Sequence, residues 1–209
     1  MTRSTLRMLS GLMAPTSGSA RLAGFDVATQ PDQVKRVLGF LTANTGLYQR
    51  LNSRELLMYF AQLHGMEHEA AEERASFLMT HLGIDHFARL RCGALSTGQK
   101  QRVNIARALV ADPPVLIMDE PTLGLDVLSN RVILDFIRRE RNAGKTIILS
   151  THYLDEAETM CDKIGLLHNG RLVAEGDLQS LRSMSGEERL SNIFLKVIGF
   201  EDAAETVPG

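Results

Sequence analysis

Two adjacent carboxylates, Asp119 and Glu120, close the apolar run Val115-Leu116-Ile117-Met118. Such a run reads as a strand buried on both faces, and open α/β sheets bind ligands beyond the carboxyl ends of strands of this kind. One carboxylate there can hold a magnesium ion on nucleotide phosphates; a second can orient or deprotonate an attacking water. An acidic pair that merely caps a loop has the same sequence, so the pair alone leaves both readings open.

A second candidate is Leu95-Ser96-Thr97-Gly98-Gln99, which opens a helix whose apolar face includes Val103, Ala106 and Leu109. Ser96 and Gln99 have capping-box spacing, which is a sufficient structural reason for both. The functional reading is an anion site, because the free N–H groups and positive dipole end of a helix attract phosphate. Gly98 lets a ligand approach the backbone closely.

The elements that must position these residues follow from periodicity. A helix is expected over Thr5 to Met13, with Leu6, Leu9, Leu12 and Met13 on one face, then short extended pieces at Ala20–Leu22 and Phe25–Val27 divided by Gly24, and a strand at Val37–Leu41. Residues 52–111 turn helical: Asn52 and Glu55 form a capping-box signature, and Glu67–Leu82 reads as a second helix. From Val115 the order is strand, helix, strand, helix, strand: Val115–Met118, Val127–Asn142, Thr146–Ser150, Leu154–Met160 and Ile164–His168. That alternation predicts an α/β fold with a mostly parallel sheet and an inserted helical subdomain. Asn169-Gly170 predicts a type I′ turn into Leu172–Ala174.

The bulk properties are those of an ordinary globular chain: 209 residues, 44% hydrophobic, 23% charged, formal net charge -2. That charge gives no general basic surface, so nucleic acid is not an expected partner. Cys92 and Cys161 lack metal-site spacing and are expected as free thiols, which fits the cytosol. No apolar run approaches the roughly 18 to 20 residues that span a bilayer, so membrane association is expected through a partner.

Four segments taken together resemble ATP-binding-cassette (ABC) ATPases. Leu95-Ser96-Thr97-Gly98-Gln99-Lys100-Gln101-Arg102 is similar to the signature, and Leu116-Ile117-Met118-Asp119-Glu120-Pro121-Thr122 to Walker B. Gly124-Leu125-Asp126 and Ser150-Thr151-His152 resemble the D-loop and the switch histidine. Their order and spacing also match. The resemblance covers Thr5 to Gly176 and is strongest to the sodium-extruding and drug-exporting bacterial subfamily, whose members share Phe40-Leu41-Thr42 and Gly46-Leu47-Tyr48.

Position by position, the resemblance implies a P-loop NTPase-like sheet with Asp119 as the magnesium carboxylate, Glu120 as catalytic base and His152 on the γ-phosphate. Ser96, Thr97, Gly98 and Gln99 would bind ATP held by the opposite subunit, with Asp126 at the dimer contact. It also implies ATP and Mg2+ as cofactors, a second ABC ATPase domain as homodimer or heterodimer partner, and a membrane-spanning permease that holds the protein on the cytoplasmic face. The expected organisation is an ATPase domain over residues 1–184, its helical subdomain at 52–111, and a tail at 185–209.

The sequence departs from the family in two places. The phosphate loop Gly-x-x-x-x-Gly-Lys-Ser/Thr is expected immediately before the first helix, and no such segment occurs in these residues. Alignment puts Thr2 at the lysine position and Arg3 at the magnesium-hydroxyl position, so the chain is expected to be truncated before that loop, its feeding strand and its adenine-stacking aromatic. After Leu38-Gly39-Phe40-Leu41, Ala43 and Asn44 stand where many relatives place a coupling glutamine. The leading expectation is an ATP-hydrolysing subunit of a sodium or drug exporter. The alternative is a non-catalytic or regulatory domain that supplies only its signature face to an intact partner.

Overall fold

A computed structural model describes residues 2–42 and 46–199, so the expectation for Ala43 and Asn44 lies outside the described residues. The chain divides into two compact units, one running Arg3–Ser150 and the other beginning at Thr151.

In the first unit, helix α1 (Thr2–Leu9) starts earlier than its periodicity predicts and also ends earlier. Thr2 and Arg3, aligned with the expected loop, are its first residues. Gly11 (φ 68°) closes it: the Gly11 N–H donates to Met8 O and the Leu12 N–H to Arg7 O, the Schellman pattern that satisfies the last carbonyls of a helix. Leu12 and Met13, expected on the apolar face, therefore lie past the helix and are exposed. Strands β1 (Arg21–Leu22) and β2 (Phe25–Asp26) form a small hairpin through Ala23 and Gly24, both with positive φ. Helix α2 (Pro31–Val37) was not legible from periodicity: Pro31 sits at its start with Asp32 in the first turn, and Val37 ends this helix instead of beginning the next strand.

Strands β3 (Leu38–Leu41), β4 (Val115–Asp119) and β5 (Thr146–Ser150) form a parallel sheet in the order β3-β4-β5. All five residues of β4 are buried, as a central strand covered on both faces requires. Between β3 and β4 in sequence come three mutually packed helices, α3 (Ser53–Leu63), α4 (His68–His81) and α5 (Thr97–Leu109). Both predicted capping boxes form, Asn52 with Glu55 on α3 and Ser96 with Gln99 on α5.

The carboxyl end of α5 lies directly on the sheet. A Cβ on Gly39 of β3 would stand 2.5 Å from Ala108 O and 2.7 Å from Leu116 Cδ2. Only glycine admits that approach. The same end is fastened by charge, since Arg74 of α4 donates to Leu109 O at 3.1 Å and pairs with Asp112 at 2.8 Å. Lys145 bridges Asp112 and the buried Glu140 of helix α6 (Val127–Asn142), its Nζ 2.8 Å from Glu140 Oε2. Burial pushes the Asp112 carboxyl up, but the Lys145 hydrogen bond and the charges of Arg74 and Lys145 outweigh it and hold the group below its ordinary value.

The second unit contains α7 (Leu154–Met160), strands β6 (Ile164–His168) and β7 (Arg171–Gly176), and helices α8 (Leu178–Ser185) and α9 (Leu190–Val197). Its core gathers Ala157, Ile164, Leu166, Leu181, Leu190 and Ile193. The strand-helix alternation placed β6 with the parallel strands; among the described residues it pairs antiparallel with β7 alone. Asn169 (φ 46°) and Gly170 (φ 78°) make the predicted turn between them. No disulfide joins Cys92 and Cys161, and no described helix is long and apolar enough to cross a membrane.

Candidate functional site

Register brings the carboxyl ends of the three parallel strands to one edge: Leu41 is opposite Met118, and Asp119 is opposite Ser150. Asp119 is 4% exposed, with Oδ1 accepting from Ser150 Oγ at 3.2 Å. Glu120, half-buried, takes the left-handed conformation at φ 52° while its N–H still donates to Ser150 O at 2.8 Å. The backbone bends at Glu120 immediately past the sheet edge. His152 follows β5 by two residues, exposed, its ring centroid 4.1 Å from that of Tyr153.

A glutamate held at positive φ is strained by about 1–2 kcal/mol, because Cβ crowds the following carbonyl. Glu120→Gly is accordingly expected to raise unfolding free energy by about 1 kcal/mol even as it removes the carboxylate, an outcome that urea denaturation measures. A destabilised variant would show that the turn depends on the glutamate side chain.

The loop after Glu120 is tied to α5, since Gln101 Nε2 donates to Pro121 O at 2.8 Å. Asp126 then caps α6, Oδ1 accepting the Ser129 N–H at 2.9 Å and Oδ2 the Ser129 hydroxyl at 2.8 Å. Those bonds, the backbone one foremost, hold the Asp126 carboxyl below its ordinary value.

Ser96 and Thr97 are exposed at the start of α5. The Ser96 hydroxyl accepts the Gln99 N–H at 3.3 Å, and Gln99 Oε1 accepts the Ser96 N–H at 2.9 Å, so both side chains serve the cap. Gly98 departs from expectation: it is buried, and a Cβ there would stand 2.6 Å from Ser129 Oγ. The close approach that this glycine admits is made by Ser129 of the same chain. Sequence reasoning missed Ser129; its place three residues after Asp126, the spacing of a cap and its N3 partner, was the available signal.

Gly144-Lys145-Thr146 has the composition of the end of a phosphate loop, but it leads into a strand, and Lys145 is committed to Glu140 and Asp112. The structure thus brings Asp119 and Glu120 to one sheet edge and sets Ser96, Thr97, Gly98 and Gln99 on the first turn of a helix packed against Asp126 and Ser129.

A parallel sheet with an Asp-Glu pair at its carboxyl edge, a helical layer inserted before the central strand and a capped signature turn define an ATP-binding-cassette domain. Residues 3–123 match the ABC transporter family, and the chain belongs to it. It is 37% identical over 191 residues to the ABC transporter ATP-binding protein NatA of Bacillus subtilis, spanning 91% of this chain and 78% of NatA. It is 36% identical to the daunorubicin/doxorubicin resistance ATP-binding protein DrrA of Streptomyces peucetius, covering 89% of this chain and 56% of that one. Among solved structures, an ATP-binding subunit of an ABC transporter superposes with a TM-score of 0.85 at 31% identity, covering 94% of this chain and 82% of the other. A dimeric ATP-binding cassette in a post-hydrolysis state with ADP and phosphate gives 0.75 at 26% identity, covering 84% and 80%.

Proposed function

We propose that this chain is the ATP-binding and ATP-hydrolysing subunit of an exporter, working as one of two head-to-tail cassettes beneath a membrane-spanning permease on the cytoplasmic face. The observation that carries the reading is the Asp119-Glu120 pair at the carboxyl edge of a buried parallel strand, with Glu120 half-buried at positive φ. Glu120 is the general base that accepts a proton from the attacking water, and His152 contacts the γ-phosphate. Ser96, Thr97 and Gln99 meet ATP held by the partner cassette, whose negative charge the positive end of α5 favours. Asp126 lies at the dimer contact; beside it Val127 and Leu128 are 84% and 78% exposed, apolar surface that a second cassette would cover.

Among the described residues no three His, Cys, Asp or Glu side chains gather into a metal site. Magnesium on a nucleotide takes one or two carboxylates with phosphate oxygens and water, so the single carboxylate of Asp119 fits that role. When bound, the ion neutralises phosphate charge. Ser150, which donates to Asp119, holds that carboxylate in orientation.

A drug is the solute class that the daunorubicin/doxorubicin resistance relative suggests, and sodium the one that the sequence resemblance implies, with specificity residing in the permease. Tyr48 and Tyr59, half exposed and packed edge to face at 5.7 Å between centroids, offer the permease an aromatic surface.

The experiment that tests the split site mixes two inactive variants of a protein in which a strand and phosphate loop precede Thr5, with Thr2→Lys and Arg3→Thr ending the loop. Ser96→Arg and Glu120→Gln each abolish hydrolysis alone. Mixed, they form heterodimers in which one of the two sites has both defects and the other neither, so about a quarter of wild-type phosphate release returns. No recovery on mixing would overturn the two-chain site.

A further inference from the structure

We propose that Ser129 is a positioning residue that locks the signature turn of α5 to Asp126 within one chain, so that the two elements move as one body. The inference rests on the reading that both face a second cassette. Ser129 is 5% exposed, and its hydroxyl has two charged partners, donating to Asp126 Oδ2 at 2.8 Å and accepting from Arg102 Nη2 at 3.0 Å. A simple helix cap needs only the Asp126 bond to the Ser129 N–H. Arg102, one turn after Gly98 on α5, is what carries the link across to the other helix.

Gly98 supplies the independent observation. Its φ is not positive, so the backbone conformation does not call for glycine, and glycine inside a helix costs about 1 kcal/mol relative to alanine. The space explains it: a Cβ would meet Ser129 Oγ at 2.6 Å, Ser129 Cβ at 3.2 Å and Asp126 Oδ2 at 3.6 Å. The first turns of α5 and α6 thus touch at Gly98 and Ser129, and the Asp126–Ser129–Arg102 bonds fix their orientation. Gln101, which donates to Pro121 O, ties the same helix to the loop after Glu120. A displacement of Asp126 at a subunit contact is therefore transmitted to Ser96–Gln99 through one hydroxyl.

Amide hydrogen exchange in the 209-residue chain tests this without nucleotide, so the result is readable even if the proposed ATPase function fails. Ser129→Ala removes the bridging hydroxyl and leaves the backbone cap; Arg102→Met removes the other end of the bridge and keeps the aliphatic stem. Each is expected to accelerate exchange at the Gln99, Lys100 and Gln101 amides about tenfold while the β4 amides are unchanged, because each breaks the charge-assisted Arg102–Ser129 bond that links α5 to α6. The double variant is expected to exchange no faster than either single one, since both remove the same interaction. Unchanged exchange at those amides, equal acceleration in β4, or additive effects in the double variant would overturn the proposal.

Discussion

Phosphate release at saturating MgATP is expected to stay at background for a protein of these 209 residues and to appear when a strand and a Gly-x-x-x-x-Gly-Lys-Ser/Thr segment are joined before Thr5, with Thr2→Lys and Arg3→Thr ending that segment. The physical reason is that phosphoryl transfer depends on positioning and on neutralising charge that spreads over the γ-phosphate oxygens. The added segment supplies a lysine, a magnesium hydroxyl and a nest of N–H groups, and each preorganised donor of that kind contributes about 10²- to 10³-fold in rate. In the active protein Glu120→Gln is expected to lower kcat by about 10²- to 10⁴-fold, because an amide keeps the shape of the carboxylate and cannot accept a proton. The strain at φ 52° is the same for either side chain, so the loss will not be a folding effect. Robust turnover by the unmodified chain, or an active protein indifferent to Glu120→Gln, would remove Glu120 from its assigned role.

The second large effect is on stability. Gly39→Ala is expected to lower unfolding free energy by about 1–3 kcal/mol and Gly39→Val by more, because the first atom added meets a backbone carbonyl that cannot swing away. Ala108 O at 2.5 Å belongs to α5, and the nearby contacts with Leu116 and Pro113 belong to the strand the helix covers and its approach. Gly46→Ala is the control, since among the described residues no atom beyond its chain neighbours lies within 4 Å of its added Cβ. Thermal midpoints should fall by several degrees for Gly39→Ala and by about 1 °C or less for Gly46→Ala. Equal midpoints for the two variants would show that α5 shifts freely on the sheet.

Most of the fold could be read where punctuation is local. Helix α6 spans Val127–Asn142, β5 Thr146–Ser150 and α7 Leu154–Met160, as the pattern predicts, because Asp126 caps one end and Gly144 and the Ser150-Thr151-His152 turn interrupt the rest. Both capping boxes and the Asn169-Gly170 turn were legible for the same reason: each is settled by residues three or fewer apart. Helix α2 was not, since a seven-residue helix has too few apolar positions for a period, and its remaining signal was Pro31.

The sequence by itself determined the chemistry of the candidate site: which carboxylates end the buried strand, which serine and glutamine open α5, and which aspartate opens α6. Tertiary structure decided their partners. Ile164–His168 is as apolar as a parallel strand, yet whether it pairs with β5 or β7 depends on backbone hydrogen bonds between segments that no local pattern encodes. Gly98 likewise reads as an opening for ligand in sequence, and only the packing of α5 against α6 reveals that Ser129 takes that space. Local rules set where elements start and stop; burial and close contact between elements distant in sequence set what each side chain touches, and that part becomes fixed only when the chain packs.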